Sequence, residues 1–99
     1  MWWRQNLDLP QRDPSGRTWH FRVWHDFVEG EYQQRIFFWA EDRQQTGVVE
    51  LRGSEALSVN RLRQRLRKLT HEPAYRRRFL RPLAFPVERY YSDGGPIPK

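Results

Sequence analysis

Three histidines are the side chains of this sequence best suited to acid–base catalysis or metal binding, since imidazole titrates near neutral pH and is a common metal ligand. Two of them, His20 and His25, lie in a segment whose residues alternate between polar and apolar. Residues of opposite parity on a strand point to opposite faces, so we expect these two rings not to converge. His71 stands alone between two predicted helices. We therefore predict no catalytic histidine and no metal site.

Carboxylate pairs and phosphate-binding loops also lack the pattern that catalysis requires. Glu29 and Glu31 flank a predicted turn, and Glu41 and Asp42 open a predicted loop, where exposed acidic residues are usual. The glycine pair at 94–95 opens no helix and therefore makes no phosphate loop. The sequence has no cysteine, which excludes thiolate catalysis, disulfides and Cys-ligated metals. We predict a non-enzymatic protein without a cofactor.

Basic residues supply the one pattern that indicates a function. The net charge is +6, and residues 51–99 contain twelve Arg and Lys against four Asp and Glu. An arginine side chain is a planar fork that matches phosphate oxygens, and a polyanion that binds such residues gains free energy from counterion release. The sequence therefore predicts a polyanion-binding surface on two helices. Its candidate residues are Arg61, Arg65, Lys68, Arg76, Arg77 and Arg81.

Two kinds of partner fit this basic surface, and a third interpretation needs no partner. Aromatic side chains near the basic residues can stack on unpaired bases, which favours RNA or single-stranded nucleic acid. An acidic protein surface fits as well, with sheet aromatics as anchors in an adaptor or assembly role. Alternatively, the acidic residues of the N-terminal half neutralise the basic helices. The candidate stacking or anchor residues are Trp24, Tyr75, Tyr90 and Tyr91.

The first half of the chain is predicted to form three strands. Residues 17–28 alternate in polarity, as a half-buried strand requires, although Trp24 breaks the pattern and falls on the face that a one-sided sheet leaves open. Gly30 makes a hairpin turn plausible, which makes residues 32–41 the return strand. Residues 47–52 are rich in Val and Leu and predict a third strand.

Two helices must carry the basic residues. Residues 59–69 place Val and Leu at spacings of three and four behind Ser58, a good N-cap, so we predict an amphipathic helix there. Pro73 suits the start of a shorter helix over residues 74–81. Residues 85–91 form a possible fourth strand, which Pro86 confines to an edge or a bulge.

The sequence as a whole predicts one α+β domain over residues 1–99. The predicted sheet is small and antiparallel, with three or four strands in β-β-β-α-α-β order, and the amphipathic helix covers one of its faces. Residues 1–16 are expected to be an irregular lead-in and residues 92–99 a loose tail. The absence of cysteine favours a cytoplasmic protein. No apolar run approaches the roughly 20 residues that span a bilayer. The sequence does not predict an oligomeric state.

Overall fold

A computed structural model describes residues 3–5, 10–42 and 44–82 of the chain. An antiparallel sheet and helices confirm the predicted α+β class. The predicted strand over residues 85–91 and the predicted tail over 92–99 lie outside the described residues. The strands are β1 (Trp3–Gln5), β2 (Gln11–Arg12), β3 (Thr18–Val28), β4 (Glu31–Ala40) and β5 (Thr46–Arg52). A 3₁₀ turn (Gly53–Glu55), helix α1 (Val59–His71) and helix α2 (Pro73–Arg77) follow.

Every strand pairing in the sheet is antiparallel, and the strand order is β1-β3-β4-β5. The short β2 pairs with β3 on the same side as β1, nearer the start of β3. The expectation of an irregular lead-in is therefore wrong for residues 3–5 and 11–12. These strands have only two or three residues each, which is too short for a polarity pattern to be visible in the sequence.

The β3–β4 hairpin closes through a loop of two residues, because Val28 is paired with Glu31. Both loop residues have positive φ, 52° at Glu29 and 79° at Gly30. Positive φ at both central positions is characteristic of a type I′ turn, whose twist matches that of the flanking strands. Glycine adopts this conformation readily, whereas a glutamate does so at a cost.

The main hydrophobic core joins one face of the sheet to α1. Trp19 and Phe21 of β3 are buried in the same cluster as Leu62, Leu66 and Leu69 of the helix. The helix begins behind Ser58, whose hydroxyl oxygen accepts a hydrogen bond from the backbone N–H of Arg61 at 3.5 Å. The three leucines of the predicted apolar stripe therefore face the core, whereas Val59 at the start of the helix is exposed. The basic residues of α1 lie toward the solvent side.

The second face of the sheet is buried as well. Trp24 is only 4% exposed, Phe37 is 6% exposed, and Trp39 is fully buried. The prediction that Trp24 is an exposed anchor is therefore wrong. That prediction assumed a sheet with only one covered face, whereas the low exposure of these three side chains shows that the second face is covered too. Trp24 is an interior residue of this sheet.

The chain that follows α2 extends the sheet along β5. The Val48 N–H donates to the Phe79 carbonyl at 3.1 Å, and the Arg81 N–H donates to the Thr46 carbonyl at 2.9 Å. These bonds end α2 earlier than the predicted residue 81, because residues 79–81 pair with a strand instead. Gly47 allows the close approach: a Cβ there would lie 2.6 Å from the Phe79 carbonyl oxygen.

No helix among the described residues is long and apolar enough to cross a membrane.

Candidate polyanion-binding groove

A groove of about 600 Å³ lies between the basic side of α1, the end of α2 and the edge of β5. Three of its cations come from α1, where spacings of four and three residues place side chains on one helix face. The fourth comes from the residue that ends α2, and the pairing of residues 79–81 with β5 holds that residue beside the groove. These four cations, called the groove cations below, are Arg61, Arg65, Lys68 and Arg78.

Tyr75 lies among the groove cations. Its ring centroid is 4.4 Å from the Lys68 ammonium nitrogen, 5.6 Å from the Arg78 guanidinium carbon and 5.9 Å from that of Arg65. The Tyr75 and Phe79 rings pack edge to face, with the two centroids 5.1 Å apart. Tyr75 is half-buried, so part of the ring is accessible from the groove. An aromatic surface and several positive charges therefore share one depression.

No ion pair involves a groove cation within the described part of the chain, although the carboxylates of Glu50 and Glu55 also line the groove. Two acidic residues of the first half, Glu41 and Asp42, pair elsewhere. Asp42 contacts Arg17 at 2.8 Å, and Glu41 lies 3.8 Å from His20. The hydrogen bonds that Asp42 accepts from the Gln44 backbone and from Arg17 hold its pKa below the usual value. The interpretation in which the acidic half neutralises the basic helices is therefore supported at Arg81, which pairs with Glu50, but by no ion pair to a groove cation among the described residues.

Arg76 does not lie on the exposed basic surface predicted from the sequence. It is only 7% exposed, and its guanidinium carbon lies 4.2 Å from the centroid of the Trp19 ring. Its Nη1 donates to the carbonyls of Leu69 and Thr70, both at 3.0 Å, and so caps the last turn of α1. Burial lowers its pKa, and the charge of Asp13 opposes that shift. The sharp connection between the two helices turns Arg76 inward, which sequence spacing could not reveal.

Arg77 and Arg81 are exposed but do not line the groove. The Arg81 guanidinium donates to the Glu50 carboxylate at 2.7 Å, which neutralises its charge locally. The structure therefore brings together three of the six predicted cations and adds Arg78, which sequence reasoning missed. Arg78 follows Tyr75 by three residues, a helical spacing that favours contact, and this was the signal available in the sequence. Tyr90 and Tyr91 lie outside the described residues.

The two strand histidines lie on opposite faces of the sheet, as their parity predicted. His25 is buried on the core face, where its Nδ1 shares a hydrogen bond with the Tyr32 hydroxyl, and burial lowers its pKa. His20 stacks on Trp39 on the other face, with the ring centroids 5.7 Å apart. Burial lowers the pKa of His20, and the nearby Glu41 carboxylate opposes that shift. No cluster of three metal-ligating side chains occurs among the described residues.

Comparisons with known proteins do not add to this description. The chain matches no protein-family model, no curated protein sequence and no solved structure. The groove and its charges are therefore the basis for a functional assignment.

Proposed function

We propose that this protein is a non-enzymatic binding module that contacts RNA or another single-stranded nucleic acid through the basic groove. The observation that carries the proposal is the position of Tyr75, half-buried and ringed by Lys68, Arg65 and Arg78 within 6 Å. Single-stranded nucleic acids are bound by this combination, in which cations follow the phosphates and an aromatic ring stacks on a base.

The groove cations favour a polyanion because they have no ion-pair partner in the described chain. No ion pair must therefore be broken when phosphates bind, although three of these cations contact the Tyr75 ring in the free protein. Each phosphate contact releases counterions, which makes binding favourable at low salt and weaker at high salt. Arginine contributes a bidentate geometry that a phosphate group can use.

The depth of Tyr75 favours an unpaired base over a duplex. Tyr75 lines the groove and is half-buried, so a base must leave its helical stack to lie against the accessible part of the ring. Unpaired bases can do this at little cost, whereas a base pair must first be opened. Stacking on an aromatic side chain contributes about 1–3 kcal/mol per base.

The test is fluorescence anisotropy with mixed-sequence single-stranded RNA and DNA across a salt series. The groove variant, Arg61→Glu plus Arg65→Glu, removes two contacts and should weaken binding by more than about tenfold at low salt. The plot of log affinity against log salt should also become less steep, with the magnitude of its slope reduced by about 1.4, since each contact to a single strand contributes about 0.7.

A matched control comes from the same helix. The flank variant, Arg63→Glu plus Arg67→Glu, changes the net charge equally at exposed residues that do not line the groove. It should weaken binding much less than the groove variant. If neither RNA nor single-stranded DNA binds at low salt, the proposal is wrong, and an acidic protein surface becomes the better partner for this groove. Equal losses in the two variants would place the binding site elsewhere.

A further inference from the structure

Resting on the nucleic-acid function proposed above, we propose that the groove prefers guanine, because the Glu55 carboxylate accepts hydrogen bonds from the base that stacks on Tyr75. Glu55 lines the same groove as the groove cations and belongs to a different element, the 3₁₀ turn. A carboxylate repels phosphate, so its presence in a site for a polyanion needs a physical explanation.

Hydrogen bonds fix the backbone on both sides of Glu55. The Ala56 N–H donates to the Gly53 carbonyl at 3.1 Å and closes the turn. The buried Gln34 side chain forms two hydrogen bonds with the backbone of the next residue, Leu57. The Gln34 amide nitrogen donates to the Leu57 carbonyl at 2.8 Å, and the Gln34 side-chain oxygen accepts from the Leu57 N–H at 2.6 Å. Glu55 therefore projects from a fixed backbone rather than from a loose loop.

Glu55 differs from Glu50, the other carboxylate in the groove lining. Glu50 accepts a hydrogen bond from Arg81 at 2.7 Å and lies 3.9 Å from the Arg35 guanidinium, so its charge is already compensated. Glu55 is exposed, and it makes no ion pair or side-chain hydrogen bond within the described chain. Its two oxygens are available to a ligand.

The hydrogen-bond donors of the four bases determine which base complements the Glu55 carboxylate. An ionised carboxylate only accepts hydrogen bonds and has two oxygens side by side. Among the four bases, guanine alone presents two adjacent nitrogen donors, the N1–H and the exocyclic amino group, on the edge that an unpaired base exposes. Adenine and cytosine offer one amino group next to an acceptor nitrogen, and uracil offers one N–H between two carbonyls. The carboxylate therefore complements guanine best, while the groove cations hold the flanking phosphates.

The test uses uridine octamers that contain one central guanosine, inosine, adenosine or cytidine, measured by anisotropy at fixed low salt. Inosine keeps the N1–H of guanosine but lacks the amino group. The wild-type protein should bind the guanosine oligomer about tenfold more tightly than the adenosine one, in line with one bidentate contact, and inosine should lose most of that gain. Glu55→Gln should abolish the preference without weakening binding to all-uridine RNA.

Glu72→Gln is the matched control, because it removes one exposed acidic charge outside the groove lining and should keep the guanosine preference. Equal binding of all the oligomers by the wild type would overturn the guanine preference and leave the nucleic-acid function standing. A preference that survives in Glu55→Gln would also overturn it. If no oligomer binds, the proposed function fails, and the guanine preference fails with it.

Discussion

Among the side chains that the structure describes, Asp13 is the only buried carboxylate. It is 8% exposed and accepts hydrogen bonds from the Trp19 indole N–H at 2.9 Å, from the Ser15 hydroxyl and from the backbone N–H groups of Ser15 and Arg17. Burial alone would raise its pKa, but these donors favour the charged form and together lower the pKa to about 2. The turn before β3 thus depends on an ionised side chain.

The lowered pKa of Asp13 predicts a pH-dependent loss of stability in Asp13→Asn. The folded-state pKa lies below the unfolded value of 3.8, so the charge stabilises the fold above pH 3.8 and ceases to do so as the pH falls through about 2. At neutral pH the variant should be less stable by about 2 kcal/mol, since one pKa unit corresponds to about 1.4 kcal/mol. Urea unfolding should show this difference shrinking between about pH 4 and pH 2. A difference that is constant with pH would contradict the prediction.

Single residues were predictable from the sequence where local pattern decides their environment, and not where tertiary contacts do. Ser58 as a cap and the opposite faces of His20 and His25 follow from spacing alone. Trp24 and Arg76 do not. Trp24 is interior because the second face of the sheet is covered, and Arg76 is buried because the connection between the helices directs it toward Trp19. Both depend on residues far away in sequence, which periodicity does not encode.

At the scale of elements, the sequence predicted those with a strong internal pattern. The three long strands agree with the expected ranges to within one residue, and α1 exceeds its predicted end by two. The strands β1 and β2 were missed because they are too short to show alternation. Helix α2 ends early because residues 79–81 form hydrogen bonds to β5, and this competition between helix and sheet is a tertiary effect.

The β3–β4 turn supplies a prediction about stability. Glu29 has φ of 52°, a conformation that asparagine tolerates far better than glutamate does. Glu29→Asn should therefore raise the free energy of unfolding by about 0.5–1 kcal/mol, measured by urea denaturation. Glu29→Ala is the control, because it removes the same charge without relieving the backbone and should give no gain. Equal stabilisation by both substitutions would attribute the effect to charge rather than to φ.

At the scale of the whole molecule, charge is segregated. Within the described residues, the acidic side chains that form ion pairs contact His20 and the arginines at 17, 35 and 81, while the exposed cations of α1 remain without such partners. A cationic face of this kind attracts polyanions over distances near the Debye length, about 8–10 Å at moderate salt. All the exposed cations of α1 contribute to that attraction, whereas only those in the groove contact the ligand in the proposed complex.

Long-range attraction and direct contacts affect different rate constants, which stopped-flow fluorescence with a labelled single-stranded RNA can measure. Steering depends on total charge, so the groove and flank variants should both slow association severalfold at low salt, and high salt should remove most of that difference. Contacts within the complex govern dissociation, so only the groove variant, Arg61→Glu plus Arg65→Glu, should release the RNA faster, by about tenfold. Faster dissociation from the flank variant, Arg63→Glu plus Arg67→Glu, would mean that RNA contacts that side of α1 and would contradict the proposed site.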